Sequence, residues 1–330
     1  MNRNPEVYRT KEKHWAFHPL TGYPEQMQWW HTNAIFDNGY NLSCTWFVTD
    51  YSATVGFQIC DPQGNMTIES YVPFEREDVS ASTETLDIKM GDNYYRGKFP
   101  KYEYRFFTGD MGVELVFESL TQPLLGEPPD GAYIGRVCAP TTPIFFTYFI
   151  RPRSRVTGKL ILAGKEIPVS GEGYADHQWT NMKIGDIFDY WYWGSPYLPN
   201  HTLVYWEVQM TDPLGCQKAK WLWALKGDKL FDYSRNGEYY IEASELELDA
   251  KSGIMCPHKV VLTFDHPGIK GTITHKLKHI ISRQPVPITP NLSSSRQYQY
   301  FRYLSDVDAK LEIDGEKVQS NKLAIHEVAL

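Results

Sequence analysis

Three acids, one imidazole and several large aromatic rings are concentrated in two short stretches near the middle of the chain. The first stretch is Gly171-Glu-Gly-Tyr-Ala-Asp-His-Gln-Trp179, and the second is Phe188-Asp-Tyr-Trp-Tyr-Trp-Gly194. A chain of two domains would have its boundary in this part of the sequence. We therefore predict that the chemistry of this protein lies in these two stretches.

The acid that suits catalysis best is Asp176. In strand geometry it shares one face with Gln178, while His177 and Trp179 share the other face. A carboxyl group held among Tyr174 and the tryptophans would be removed from water, which suits a general acid near neutral pH. Indole and phenol faces can stabilise a carbocation by cation–π attraction. An acid enclosed by aromatic rings could therefore protonate an unactivated alkene.

Ordinary structural roles are open for the same residues. Asp176 could cap a turn through neighbouring amide groups, a common role for aspartate after glycine-rich sequence. His177 could be a hydrogen-bonded core imidazole, and the tryptophans could belong to a β-core. Glu172 lies between two glycines and is expected to face solvent. Asp189 is a candidate for a second acid or for a hydrogen-bonding group that orients the first.

Standard catalytic and nucleotide-binding signatures are absent from the sequence, including Gly-x-Ser-x-Gly, the phosphate loop, GxGxxG and His-Glu-x-x-His. Two histidine pairs have four-residue spacing, His14 with His18 and His275 with His279. The second pair lies in an alternating, strand-like segment, where four residues separate side chains by roughly 13 Å. Two ligands of one ion must lie closer than that. We predict neither a metal site nor a cofactor.

Composition and charge narrow the range of partners. The 330 residues are 15% aromatic, a share that suits sheets and cavity walls. The formal charge of -7 argues against nucleic acid or an anionic membrane as partner, because both require a basic protein surface. No window approaches the ~20 apolar residues of a membrane span, and the first residues have no apolar signal core. Five cysteines without close pairs are typical of reduced thiols in a cytoplasmic protein.

Short runs of β-branched and aromatic residues alternate with turn clusters along the chain, and no stretch keeps a 3.6-residue period over three turns. The sequence therefore predicts an all-β fold. Residues 1–28 are expected to form an extended lead-in, and the stretch from Pro285 to Ser295 a loop. A tight turn at Lys226-Gly-Asp228 predicts a hairpin between Trp221 and Phe231.

An internal repeat relates the two halves of the chain. Residues 151–167 overlay residues 302–318 without a gap, matching Arg, Ser, Val, Lys, Leu and Gly. Both segments are typical of strand-turn-strand hairpins, and each half also begins with paired tryptophans. We predict two related β-domains, residues 1–183 and 184–330, each ending in the hairpin. Short amphipathic hairpins can also resemble each other by chance.

Several of these residues resemble a known family. Gly173-Tyr-Ala-Asp-His-Gln-Trp179 followed by Trp191-Tyr-Trp-Gly194, with Gln28-Trp-Trp-His31 upstream and Glu327 near the end, is similar to the carotenoid hydratase (hydroxyneurosporene synthase) and AttH-like family. The resemblance spans most of the chain, from about residue 28 to residue 328. The sequence departs from the family pattern where Asn-Trp-Gly becomes Gln-Trp-Thr, and where Glu-Trp-Trp-Tyr becomes Gln-Trp-Trp-His.

The resemblance implies two lipocalin-like antiparallel β-barrel domains in tandem, with a ligand cavity at or near their junction. Members of the family hydrate a terminal isoprenoid double bond without a cofactor. Similar fungal, Diels-Alderase-like proteins steer intramolecular cycloadditions or hydrate prenyl groups. Carried over, Asp176 would be the proton donor and His177 its partner. The candidate substrate-binding rings are Tyr174, Trp179, Trp191, Trp193 and Trp30.

Three hypotheses follow for function. The leading one is a cofactor-independent hydratase or cyclase acting on a double bond of a hydrophobic small molecule, isoprenoid-like or polyketide-like. A lipocalin-like carrier is the second, and it would need the cavity and its rings but no proton donor. A pericyclase is the third, and it would only fold its substrate without incorporating water.

Overall fold

The computed structural model describes residues 10–19, 26–49, 51–125, 146–233, 239–285 and 299–330. Within these residues the only α-helix is α1 (Ile184–Ile187), and short 3-10 turns occur at Glu12–His14, Arg76–Asp78 and Asp212–Leu214. All other regular structure in the described ranges is β-strand, so the predicted all-β fold is confirmed. The predicted loop after Pro285 lies outside the described residues.

The first sheet is antiparallel and has twelve strands. They are β1 (Met27–Phe36), β2 (Asn41–Thr49), β3 (Ala53–Cys60), β4 (Met66–Phe74), β5 (Val79–Ala81), β6 (Asp87–Met90), β7 (Asn93–Lys98), β8 (Lys101–Thr108), β9 (Met111–Ser119), β10 (Leu124–Leu125), β11 (Phe146–Leu162) and β12 (Lys165–Thr180). Their order is β4-β3-β2-β1-β12-β11-β9-β8-β7-β6-β5, and β10 pairs with β11. The strand with the central motif, β12, therefore lies between β1 and β11.

The second sheet is antiparallel and has ten strands. They are β13 (Phe188–Gly194), β14 (Thr202–Met210), β15 (Lys218–Lys226), β16 (Lys229–Asp232), β17 (Tyr239–Leu248), β18 (Met255–His266), β19 (Ile269–Pro285), β20 (Gln299–Ile313), β21 (Glu316–Ser320) and β22 (Leu323–Ala329). Their order is β16-β15-β14-β13-β22-β20-β19-β18-β17, and β21 pairs with β20. The predicted hairpin around Gly227 is confirmed as β15–β16, with Lys226 opposite Lys229.

The chain divides into two compact units, the first ending at Lys183 and the second beginning at Ile184. Each sheet wraps around its own apolar core, as in tandem lipocalin-like barrels. The first core is rich in rings, with Trp30, Trp46, Phe57, Tyr104 and Phe106. Aromatic side chains give both sheets large apolar areas to bury, which stabilises the fold.

The repeated segments form hairpins of the same kind in both units. In the first unit the turn between β11 and β12 places Ala163 at φ 50° and Gly164 at φ 72°. In the second unit the turn between β20 and β21 places Asp314 at φ 51° and Gly315 at φ 81°. Two successive positive φ angles are characteristic of the type I′ turn that suits the twist of a hairpin. The hairpins expected from the repeat are therefore confirmed.

Three further observations concern the described residues alone. No helix among them is both long and apolar enough to cross a membrane. They contain no group of three or more His, Cys, Asp or Glu side chains that could hold a metal ion. Their four cysteines, Cys44, Cys60, Cys216 and Cys256, form no disulfide bond with one another.

Candidate functional site

Asp176 and His177 are neighbours on β12 but project to opposite sides of the first sheet. The His177 ring points into the barrel, where it stacks on Trp30 with 4.4 Å between ring centroids. Asp176 points to the outer side, where it is also buried, at 4% exposure. Strand alternation therefore confirms the predicted separation of faces and gives the two side chains different surroundings.

The Asp176 carboxyl group belongs to a hydrogen-bonded set of polar groups on this outer face. Gln178 Nε2 donates to Asp176 Oδ1 at 2.9 Å, and the Tyr174 hydroxyl also bonds to the carboxyl group. The Tyr174 hydroxyl lies 2.7 Å from the Tyr148 hydroxyl. Burial raises the pKa of Tyr174 well above its usual value, and the nearby Asp176 and Tyr148 raise that pKa further. Tyr174 therefore remains a neutral phenol that can donate to Asp176.

An imidazole that sequence reasoning did not select lies beside this acid. His31 on β1 stands directly opposite Asp176 in the β1–β12 ladder, and His31 is also 4% exposed. Directly opposite residues of an antiparallel pair share a face, with Cβ atoms roughly 5 Å apart. His31 Nδ1 lies 2.9 Å from Thr45 Oγ1, and His31 Nε2 lies 3.3 Å from Asn33 Nδ2. The outer face thus carries an acid and an imidazole together.

On the interior face, His177 holds the lead-in segment against the barrel. Its Nδ1 lies 2.6 Å from the carbonyl oxygen of His14, and its Nε2 lies 2.9 Å from Gln28 Oε1. The ring of His18 stacks on the His177 ring with centroids 5.6 Å apart. Burial lowers the pKa of His177 well below its usual value, and the nearby His18 lowers it further. These contacts match the structural role that the sequence left open for His177.

Arg151 on β11 is a second buried polar residue of the barrel interior. Its guanidinium carbon lies 3.6 Å from the ring centroid of Tyr102 and 4.2 Å from that of Trp15. Its Nη2 donates to the Tyr95 hydroxyl. Burial lowers the pKa of Arg151 to about 9, although the nearby carboxylates of Glu12 and Asp176 act in the opposite direction. Arg151 therefore stays cationic near neutral pH and is held by aromatic faces.

The predicted substrate-binding rings occupy different surfaces. Tyr174 shares the outer face with Asp176. Trp30 and Trp179 lie on the interior side of the first sheet, where both pack against the first core. Trp191 and Trp193 belong to β13 of the second unit. Within the first unit, strand alternation therefore places one of the three predicted rings on the side of the acid and two on the opposite side.

The predicted residues on β13 stand near a second, partly buried carboxylate. Trp193 lies directly opposite Glu327 of β22. Arg302 Nη2 donates to Glu327 Oε1 at 2.8 Å, and the Tyr300 hydroxyl donates to the same oxygen at 2.5 Å. The ring centroid of Trp191 lies 5.4 Å from that of Tyr300. This group of side chains is therefore ordered around an ion pair.

Asp189, the predicted second acid, lies at a β-bulge of β13 and is partly exposed. The Gln209 side chain donates to Asp189 Oδ2 at 3.4 Å. Asp189 belongs to the second unit, whereas Asp176 belongs to the first.

No protein-family model and no curated protein matches the sequence. Solved structures match it over nearly the whole chain. A protein assigned as AttH from Nitrosomonas europaea has a TM-score of 0.67, 13% identity and 92% coverage of each chain. CghA, solved with Sch210972, has a TM-score of 0.66 and 9% identity, over 98% of this chain and 96% of that one. Kievitone hydratase from Nectria haematococca has a TM-score of 0.53 and 13% identity, over 92% and 88%.

At these identities the likeness establishes a shared fold. The lipocalin-like fold expected from the resemblance to AttH-like proteins is therefore confirmed, with β12 and its central motif inside the matching architecture.

Proposed function

We propose that this protein is a cofactor-independent hydratase or cyclase that acts on a double bond of a hydrophobic, isoprenoid-like molecule. Asp176 is the proton donor. The observation that carries the proposal is the burial of the Asp176 carboxyl group among the hydrogen-bonding side chains of Tyr174, Tyr148 and Gln178. Carboxyl groups held away from water and fixed by hydrogen bonds are suited to general acid catalysis.

The surrounding groups stabilise the products of proton transfer. When Asp176 protonates the alkene, the substrate becomes a carbocation and Asp176 becomes a carboxylate. The neutral Tyr174 phenol and the Gln178 amide donate hydrogen bonds to that carboxylate, and such oriented donors need little rearrangement as charge develops. The faces of Tyr174 and Tyr148 can stabilise the cation. Water captures the cation in a hydratase, and an internal nucleophile captures it in a cyclase.

The structural neighbours support this class of function. Kievitone hydratase shares the fold and is named for hydration, which favours capture by water. CghA was solved with Sch210972, which favours a small organic molecule as the ligand of this fold.

The same neighbour also favours the second candidate, a protein that binds an apolar metabolite unchanged or folds it as a pericyclase. Neither activity needs a proton donor, so both predict that Asp176 can be replaced without loss. Replacement of Asp176 therefore distinguishes the two candidate functions.

The test is incubation of the protein with an apolar extract of its host in ¹⁸O-labelled water, followed by untargeted mass spectrometry. Asp176→Asn is compared with Asp186→Asn, because Asp186 undergoes the same chemical change and is equally buried, at 3% exposure. We expect a labelled product from the unsubstituted protein and from Asp186→Asn, and none from Asp176→Asn. A labelled product formed by Asp176→Asn at the unsubstituted rate would rule out the assigned donor. An unlabelled product indicates a cyclase or pericyclase, and a compound retained unchanged indicates a carrier.

A further inference from the structure

We propose that His31, rather than His177, is the histidine that works with Asp176, as the general base that deprotonates the attacking water. The inference rests on the proposed function of Asp176 as proton donor. It assigns the base to β1, whereas the sequence predicts the partner of Asp176 at the neighbouring position on β12.

The first argument is the strand register. The β1–β12 ladder is continuous over ten residue pairs, from Met27 opposite Thr180 to Phe36 opposite Gly171. A shift of one residue would turn every side chain of the strand to the other face, so a ladder of this length fixes its register. His31 is therefore held opposite Asp176 on the same outer face, whereas His177 is held on the interior face.

The second argument is the tautomer of the His31 ring. Asn33 Nδ2 is a hydrogen-bond donor and not an acceptor, so His31 Nε2 is the acceptor in the contact at 3.3 Å. The ring proton then lies on Nδ1, which donates to Thr45 Oγ1 at 2.9 Å. A neutral imidazole with its lone pair at Nε2 is the form that acts as a base.

The third argument is the contrast with His177. Both of its nitrogens face oxygen acceptors, the His14 carbonyl and Gln28 Oε1. The Gln28 amide cannot be reversed without loss, because its Oε1 accepts from the His18 backbone N–H and its Nε2 donates to the His18 carbonyl, both at 3.0 Å. The neutral His177 ring therefore donates from one nitrogen and faces a protein oxygen with the other, so neither nitrogen is placed to act as a base.

The proposed sequence of steps is balanced. The Asp176 O–H bond breaks as a new C–H bond forms from the alkene π electrons, which leaves a carbocation and a carboxylate. The oxygen of water then forms the C–O bond, and its proton moves to His31 Nε2. The imidazolium finally returns a proton to the Asp176 carboxylate. The net reaction is alkene plus water giving an alcohol, with no oxidant, reductant or cofactor consumed.

The test is the rate of ¹⁸O-labelled product formed from the host extract between pH 5 and 8. We expect His31→Ala to lower this rate by about 10²-fold or more, since general base catalysis contributes roughly 10²–10⁴. We also expect added imidazole to restore the rate in part, and the acid limb of the pH profile to disappear. His177→Ala is the matched control, and imidazole should not restore any rate that this variant loses.

Three results would overturn the inference: His31→Ala at the unsubstituted rate, a loss that imidazole does not restore, or an unchanged acid limb. If His31→Ala does not fold, ¹⁵N NMR of the unsubstituted protein decides, since a proton on His31 Nε2 would contradict the assignment. Asp176→Asn separates the two proposals. An active Asp176→Asn defeats the proposed function, whereas an inactive Asp176→Asn with an active His31→Ala defeats only the role of His31.

Discussion

Two acids occupy matching positions in the two sheets, the buried Asp176 in the first and the partly buried Glu327 in the second. The alignment that places residue 151 on residue 302 also places residue 176 on residue 327. Asp176 lies on β12 between β1 and β11, and Glu327 lies on β22 between β13 and β20. The two acids differ in their neighbours, and that difference indicates which of them can carry out chemistry.

Glu327 stands opposite Arg302 and accepts charge-assisted hydrogen bonds from it. Such bonds are about twice as strong as neutral ones, so they hold Glu327 in an ion pair. Asp176 stands opposite His31 and Ile150, and it accepts a hydrogen bond from the Gln178 amide. One acid is therefore held in a direct ion pair, whereas the other accepts from a neutral amide and interacts with the Arg151 guanidinium only at longer range.

A single extra residue in β11 accounts for the difference. Arg151 pairs with Ala175 and Ser154 pairs with Gly173, so β11 advances by three residues while β12 advances by two. The equivalent β20–β22 ladder has no such shift. Without the bulge, Arg151 would stand opposite Asp176 as Arg302 stands opposite Glu327. The bulge instead turns the guanidinium into the barrel, onto the ring of Tyr102.

The largest expected effect comes from making the first acid resemble the second. Ile150→Arg places a guanidinium directly opposite Asp176, at a position that is now fully buried. We expect the rate of labelled product to fall by about 10²-fold or more, because an ion pair would hold Asp176 as a carboxylate. Ile150→Met is the control of similar length without charge. Equal rates for the two variants would mean that a guanidinium directly opposite the acid is not what distinguishes Glu327 from Asp176.

The second effect is on stability and concerns the ion pair of the second sheet. Arg302→Met leaves Glu327 buried without its cation, and the two side chains are only 5% and 13% exposed. We expect the free energy of unfolding to fall by about 3–5 kcal/mol in urea titrations. Arg153→Met is the comparison, because its pair with Glu172 is more exposed, at 14% and 28%, and should cost about 1 kcal/mol or less. Equal losses would contradict a structural role specific to Glu327.

The third effect is the response of stability to pH, which depends on three buried histidines, His177, His275 and His326. Burial lowers the pKa of His177 and of His326 well below the usual value, and burial lowers the pKa of His275 to about 3. These rings are neutral when folded but take up protons near pH 6.5 when unfolded. Stability is therefore present above pH 6.5 and is lost as pH falls, by roughly 1.4 kcal/mol per pH unit for each such ring.

Thermal unfolding at pH 6.5 and pH 5 measures this loss, and His275→Phe should reduce the slope. Stability that rises towards pH 5 would contradict the neutral state of these rings.

The smallest effect concerns the phenol that supports Tyr174. Tyr148→Phe removes the partner 2.7 Å from the Tyr174 hydroxyl, and we expect a loss of about fivefold in rate, corresponding to roughly 1 kcal/mol. Tyr95→Phe makes the same chemical change on the interior face, where Tyr95 bonds to Arg151. That variant should lower the unfolding temperature without changing the rate. If Tyr95→Phe lost as much rate as Tyr148→Phe, the outer and interior faces of the sheet would not differ in their contribution to the reaction.

The sequence predicted the features that depend on local pattern. Alternation along β12 separated Asp176 from His177, and the matched segments at 151 and 302 predicted two hairpins that the structure contains. The β-bulge also leaves a local signal, since a proline inside a strand, here Pro152, is typical of an edge or a bulge.

Features that depend on long-range pairing could not be predicted in this way. His31 meets Asp176 because β1 pairs with β12, which is distant in sequence, and nothing in Gln28-Trp-Trp-His31 specifies that partner. Strand alternation shows that a strand has two faces but does not show which face lies against the core. The predicted substrate-binding set therefore combines Trp30 and Trp179 with an acid that lies on the opposite side of the sheet.

The central claim is that, of two acids at matching positions, Asp176 donates the proton and Glu327 supports the fold. The most direct measurement is the initial rate of ¹⁸O-labelled product from the host extract for Asp176→Asn and Glu327→Gln, at a temperature where circular dichroism shows both variants folded. The account predicts a loss of about 10²-fold or more for Asp176→Asn, and a rate within about tenfold of the unsubstituted protein for Glu327→Gln. An active Asp176→Asn, or a Glu327→Gln variant that loses as much, would contradict it.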